Sequence, residues 1–439
     1  MRTALRVGAC LVVWLFCGST AAFATTMELY GFGPRATAMG NTSEAISDDY
    51  FAVYANPANL ALADHIHFGF GTDMVWNRFT IDREKGQSNY PSRLPADNYL
   101  AHIGISTPLG GWIKNRAALA VAIHLPMGGP TRLDALDYRT PQVTMYDTLG
   151  DRLALVFGLG VRPLEWLTIG ASAQLLTTLQ GSADVDMSIL DHRVTRKQMD
   201  VELLTKIFPI FGVTVTPNPD LRFSLVYRAK SEVRYGIPLA AQVEDVGLLH
   251  FAIAGVGLFL PDTFAFAASY KHGSLLGTAG VAYALWSECP PLAPTVQLSL
   301  DDRALVQKGG TPDQILYLNN KPMPLGARDI LIPRAGLEWQ ASEALVLRGG
   351  VQYRPTPLPR ADGVATYLDA PATTMTLGAG IRLADPLAVV KKPLQIDVAL
   401  GWTVLSQRSV EKLDPSDPVG GTSLHGSNLH LTLAIHHDF

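Results

Sequence analysis

The first residues in this 439-residue chain that could bind something are arginines set at alternate positions of apolar segments. In Leu345–Arg354, Leu345, Leu347, Val351 and Tyr353 share one face, and Arg348, Gln352 and Arg354 share the other. Arg222 and Arg228 fall on the polar face of 221–231, and Arg334 and Glu338 on that of 330–340. If those faces line a lumen, each guanidinium can take a carboxylate through charge-assisted, often bidentate hydrogen bonds. The carboxylate is either a substrate's or one of the chain's own, with Asp48, Asp49, Glu338 and Asp397 in reach of such a pairing.

Histidines form a second set. His65 and His67 alternate with Ile66, Phe68 and Phe70, and His436 stands on the polar face of the last segment. Where the two chain ends adjoin, these imidazoles gather at one rim. They could ligate a metal, loosen contacts on protonation, or simply pack there. No acid or cysteine completes a ligand set in the sequence, so neither a metal nor a cofactor is assigned. Gly31-Phe32-Gly33 does not complete a dinucleotide fingerprint, and no Gly-x-Ser-x-Gly elbow is present. The chain therefore reads as no enzyme.

A third feature is Gly247 to Leu260, GLLHFAIAGVGLFL, in what the spacing makes an external connection. Such connections are normally polar, and a large exposed apolar patch marks a binding surface. Leu248, Leu249, Phe251, Ile253, Val256, Leu258 and Phe259 are then candidates for a groove that takes a hydrophobic molecule. The other reading is that the stretch extends two strands, or packs on the connection holding Leu203, Leu204, Ile207 and Phe208.

The elements that must position these residues are strands. From Ile66 onward, apolar residues alternate with small or polar ones, the period of a sheet with two different faces. Leu429, Leu431, Leu433 and Ile435 oppose Asn428, His430, Thr432 and Ala434. Strands are expected near 66–76, 99–107, 117–125, 151–162, 166–177, 207–215, 221–231, 262–271, 277–287, 330–340, 344–354, 372–383, 394–404 and 428–439. Their connections alternate short and long, the long ones falling around 77–98, 126–150, 178–207, 231–261, 288–329, 355–371 and 405–427. Bacterial barrels have short turns at one rim and long loops at the other. The expectation is an all-β fold, a transmembrane antiparallel barrel of about 14 strands.

Composition agrees. There are 35 Lys+Arg against 39 Asp+Glu, which gives no reason to expect a nucleic-acid partner. After the first residues no apolar run reaches the ~18 that a membrane helix needs. A chain this apolar can then span a membrane only as a closed barrel, where every backbone group finds a partner. Residues 1–24 read as a Sec signal peptide: Arg2 and Arg6, an apolar core from Val7 to Phe16, and Ala22-Phe23-Ala24 before the cleavage point. Cys10 and Cys17 leave with it, so Cys289 has no disulfide partner in the chain.

Between the signal and the first strand lies a segment of another kind, residues 25–64. Gly31, Gly33, Ala36, Ala38 and Gly40 allow close backbone approach, and Asn56-Pro57 starts a turn. Small residues ahead of a barrel (65–439) suit an internal plug.

This segment resembles the N-terminal hatch of the FadL/TodX family, outer-membrane proteins that import long-chain fatty acids and aromatic hydrocarbons. The matching residues are Gly33, Arg35, Ala36, Met39, Gly40, Ala45, Asp48, Asp49, Ala52, Tyr54 and the triplet Asn56-Pro57-Ala58. The terminal Phe439 resembles the signal read by the barrel-assembly machinery, with His437 a departure from it. The resemblance implies a plugged fourteen-stranded barrel in the outer membrane of a Gram-negative bacterium. It implies passive uptake of a fatty acid or similar lipophile, and sideways release into outer-membrane lipid beside a kinked third strand. Here that strand runs into Pro126 and Gly128-Gly129-Pro130. The alternative is a barrel that serves as a structural or secretion partner with no transported ligand.

Overall fold

The computed structural model describes residues 25–84, 90–114, 116–128, 139–146, 152–188, 193–243, 247–291, 295–301, 318–319, 325–359, 365–383 and 393–439. Residues 1–24, expected as a signal peptide, and Gly129-Pro130 lie outside them.

Alternating burial organises the sheet. Inward residues are small or polar, and outward ones are large and apolar, such as Phe70, Ile103, Phe157, Phe211, Leu377 and Trp402. An outward apolar band over an inward polar face fits only a closed barrel in lipid. Among the described residues fourteen strands form that ring: β1 His67–Arg83, β2 Asn98–Pro108, β3 Ala117–Pro126, β4 Ala154–Leu164, β5 Leu167–Ser188, β6 Arg193–Asn218, β7 Leu221–Arg228, β8 Thr263–His272, β9 Leu275–Ala284, β10 Ile330–Gln340, β11 Leu345–Arg354, β12 Ala372–Leu383, β13 Leu394–Val410 and β14 Thr422–Asp438. Each pairs antiparallel with the next, and β14 closes on β1 from His67↔Asp438 to Arg83↔Thr422.

All fourteen expected strands are present, but three connections differ from expectation. Residues 178–188 and 193–207, within a stretch expected as a loop, belong to β5 and β6, which pair as one tall hairpin. The connection 231–261 is a second hairpin, Ser231–Val243 with Gly247–Leu260. It runs parallel beside β5, from Ala183↔Leu239 onward. Within 288–329, Thr295–Asp301 adds to the same outer sheet against Leu248–Ala254. The period-two signal is the same inside the membrane and above it, so alternation alone could not mark where the barrel wall ends.

The lumen is filled by the N-terminal segment: α1 Thr26–Tyr30, α2 Pro34–Ala38, α3 Ala52–Ala55 and a 3₁₀ turn Pro57–Leu62. Almost every residue from Thr25 to Leu60 is buried or half-buried. Proline fits at the second residue of the Gly33-Pro34 and Asn56-Pro57 steps, because a first-turn position needs no backbone N–H.

Candidate functional site

Three sockets in the wall receive the plug, and inward-facing glycines make each of them. At the first, Gly40 has φ +65°, and a Cβ there would stand 2.6–2.7 Å from Val351 N and Ala335 O. Across from it, added Cβ atoms on Gly336 and Gly350 would stand 2.6 Å from Met39 O and 2.2 Å from Gly40 N. At the second, Gly160, Gly170 and Gly212 of β4, β5 and β6 meet the Asn56-Pro57-Ala58 corner. At the third, the Tyr50 ring lies over Gly69 and Gly104. Gly33, at φ +91°, leaves room for the Phe51 ring within the plug itself.

Asn56 is fully buried and holds the corner in shape. Its Nδ2 donates to Glu44 O at 2.8 Å and to Thr214 Oγ1 of β6 at 2.8 Å, and its Oδ1 accepts from Ala58 N at 3.1 Å. Asn59 repeats the pattern: its Nδ2 donates to Glu44 O at 2.9 Å and its Oδ1 accepts from Thr214 at 2.7 Å. The corner is thus tied both to the rest of the plug and to the wall.

The four arginines face inward, and each meets acids. Arg228 and Arg334 share Glu44 Oε1 at 3.4 and 2.9 Å. Arg348 donates to Glu338 at 2.7 Å and also contacts Asp397. Arg354 makes a bidentate pair with Asp369 at 2.8 Å and donates to the Tyr146 hydroxyl at 3.1 Å. The plug acid that receives wall arginines is Glu44, which the sequence did not single out. Asp48 instead accepts from the plug's own Arg35 at 3.2 Å, while Arg35 Nε reaches Glu338 at 2.8 Å. Asp49 accepts from Phe51 N at 2.9 Å.

Burial would push the Glu44 carboxyl up, but Arg334 and then Arg228 outweigh it and hold it below the ordinary glutamate range. A carboxyl depressed in the docked state stabilises docking at every pH above its free value near 4.5, and that stabilisation fades as pH falls below it. Asp49, held above its usual range by burial, has the opposite sign: its ionisation opposes docking as pH rises past 3.8. Channel openings in a planar bilayer should therefore become more frequent below about pH 4. A Glu44→Gln barrel should lack that acid step, and an acid step of equal size in the variant would refute the assignment.

Between α1 and the upper wall, on the side of the long connections, lies a cavity of about 60 Å³. Its apolar lining includes Met27, Leu29, Phe32, Leu260, Trp286 and Ile332. Its charged lining is Glu28, Arg228, Arg334 and Arg354. Glu28 contacts the Tyr54 hydroxyl, and the Arg228 guanidinium lies 5.1 Å over the Tyr54 ring. A space of this size takes only a few water-sized groups. A longer guest must displace part of α1.

The apolar stretch 247–260 reaches this cavity at Leu260 and is a strand, not an open loop. Val256, Leu258 and Phe259 are buried, with Phe259 5.8 Å from the Trp286 ring. The side chains of Leu248, Leu249, Phe251 and Ile253 lie outside the described residues. Cys289 packs against the same buried apolar cluster, where burial pushes its thiol up to about 12 and leaves it unreactive.

A buried histidine group also escaped the sequence reading. Asp73 takes His102 at 3.1 Å and His430 at 3.2 Å, and Phe32 of the plug packs on His102 and His124. Its signal was present as inward positions on β1, β2, β3 and β14 that hold aspartate or histidine in place of small residues. His436 stands across from Gly69, one inward position along from His67, and pairs with Asp397 at 2.5 Å.

No family model matches the chain. Alkane uptake protein A of Marinobacter nauticus is 24% identical over 405 residues, covering 88% of this chain and 85% of that protein. A Pseudomonas aeruginosa FadL homologue superimposes with a TM-score of 0.58 at 13% identity, covering 97% of this chain and 99% of the other. The Ralstonia pickettii toluene transporter TbuX gives 0.53 at 19% identity, covering 94% and 100%.

Proposed function

For a chain with the fold of the FadL-type channels, we propose passive uptake of neutral hydrophobic molecules of the hydrocarbon class across the outer membrane. One observation carries this reading. The cavity is apolar, and each cationic side chain lining it is already matched by an acid of the chain. A free fatty acid would bring a charge into a low-dielectric space with no unmatched cation to meet it, and burying such a charge is costly. An alkane or a small aromatic brings none. The names of the curated relative and of TbuX support the same class.

Sideways release needs a gap in the wall. β3 is paired to β2 up to Leu100↔Pro126, but to β4 only up to His124↔Ala154. The strand is unbroken below that point. We place the exit above it, between Leu125 and Leu153, where Pro126 has no N–H to continue the ladder. Phe439, exposed at the end of β14, is the residue we assign to recognition by the assembly machinery.

The test is uptake by cells that express the barrel. Radiolabelled hexadecane or toluene should enter faster than in cells lacking it, and oleate should not. Oxidising the pair Leu125→Cys and Leu153→Cys should abolish the gain, and reduction should restore it. Oleate uptake that exceeds hydrocarbon uptake would overturn the substrate class. Undiminished uptake in the crosslinked barrel would overturn the exit.

A further inference from the structure

We propose that His65, His67 and Asp438 form a transition-metal site, suited to zinc, that clasps the first strand of the barrel to its last. His67 opens β1 and Asp438 ends β14, and the two are cross-strand partners at the lower end of the closing seam. His65 stands two residues earlier on the same face, its ring centroid 4.1 Å from that of His67. Next to it, Phe439 N donates to Ile66 O at 2.9 Å, so backbone pairing extends to the last residue.

Two imidazoles and a carboxylate are ligands that zinc accepts, with a fourth position left to water. One ligand atom from each residue lies within 4.8 Å of the other two. His65 Nε2 is 3.1 Å from Asp438 Oδ2, and His67 Nδ1 is 2.5 Å from Asp438 Oδ1. With metal–ligand bonds of about 2.0–2.2 Å, tetrahedral neighbours stand roughly 3.3–3.5 Å apart. Both observed spacings fall below that separation, so a metal enters once the side chains move apart by up to about 1 Å.

The surroundings favour a cation. Asp64 contacts His65 Nδ1, which fixes the proton there and turns the Nε2 lone pair inward. Histidines that bind metals commonly donate their second ring nitrogen to a carboxylate in this way. Asp49 and Asp48 of the plug lie near enough to act electrostatically on His67. All three ligands are half-buried at the rim, so an ion and its water can reach them.

A metal bound only by the closed barrel stabilises closure by mass action. The seam is where that matters, because β1 and β14 lie at opposite ends of the chain.

The experiment uses the purified full barrel in detergent, stripped with EDTA and then titrated with zinc chloride by calorimetry. Heat-modifiable electrophoresis reports closure in parallel. One zinc per barrel is expected, with a higher unfolding temperature when it is bound. His67→Ala should remove the binding. Asp64→Asn, at an exposed side chain that leaves the fold alone, should weaken it about 10–100-fold. His272→Ala, at the last residue of β8, should change nothing. The proposal is overturned by the absence of saturable zinc binding in the parent. It is equally overturned if binding survives in both His67→Ala and Asp64→Asn, which would mark it as adventitious histidine binding.

Discussion

A Gly170→Val barrel is expected to fold with its plug unseated and to conduct ions where the parent is closed. The Cβ added at Gly170 would stand 2.3 Å from Pro57 C and 2.4 Å from Ala58 N. These are backbone atoms of a corner fixed by Asn56, Asn59 and Thr214, so no flexible side chain can move aside. Overpacking costs about 1–3 kcal/mol where neighbours can adjust. Here they cannot, and two further methyl groups add to the clash. The strand itself loses nothing, because a β-branched residue suits an extended backbone. The strain therefore falls on docking, not on the wall. Open-channel conductance in planar bilayers should rise at least tenfold, since each 1.4 kcal/mol lost from docking shifts its equilibrium tenfold. Gly277→Val, at a position with no atom within 4 Å, should leave conductance unchanged. A silent Gly170→Val barrel with normal heat-modifiable mobility would show that the glycine sockets do not hold the plug.

These sockets show how far the sequence could be read. Lipid against lumen is a strict two-way choice at every strand residue, so fourteen strands follow from alternation. Inwardness of Arg228, Arg334, Arg348 and Arg354 follows from the same parity. Their partners do not, because Glu44 lies in a turn with no period and reaches Arg228 and Arg334 from 184 and 290 residues away. The plug was legible through its small residues and its resemblance. The matching glycines on the wall, Gly160, Gly170, Gly212, Gly336 and Gly350, were in plain view at inward positions. They had no meaning until the plug was set against them. The stretch 247–260 is a different case. Its position between barrel strands suits both an apolar groove and an extension of two strands; the chain takes the strand form, with Val256, Leu258 and Phe259 buried. The rim histidines were placed on the correct face, but the acid that completes the group, Asp438, shares their parity and was assigned no role.

Glu44→Gln is expected to change what the cavity accepts as well as how firmly the plug is held. Glu44 is fully buried, and one of its oxygens serves both Arg228 and Arg334. Removing one partner of a buried ion pair costs about 3–5 kcal/mol, because the charge left behind has no counter-ion. Glutamine keeps the shape and one hydrogen-bond acceptor but not the charge. Arg228 and Arg334 both line the cavity, so their unmatched charge faces the space where a guest sits. A fatty acid carboxylate can then supply what Glu44 supplied. A hydrogen bond to a charged group contributes about 1.5–3 kcal/mol, which predicts oleate binding roughly 10–100-fold tighter than in the parent. Hexadecane should gain nothing, because it has no group to offer. Calorimetric titration with both ligands measures the difference, and Glu44→Asp should return the parent's preference. Strong salt should weaken oleate binding little, because a buried pair is poorly screened. Tight oleate binding in the parent, unchanged by Glu44→Gln, would mean that the matched charges around the cavity do not set its selectivity. The same acid would then be only a plug anchor, and the neutral-substrate reading would lose its support.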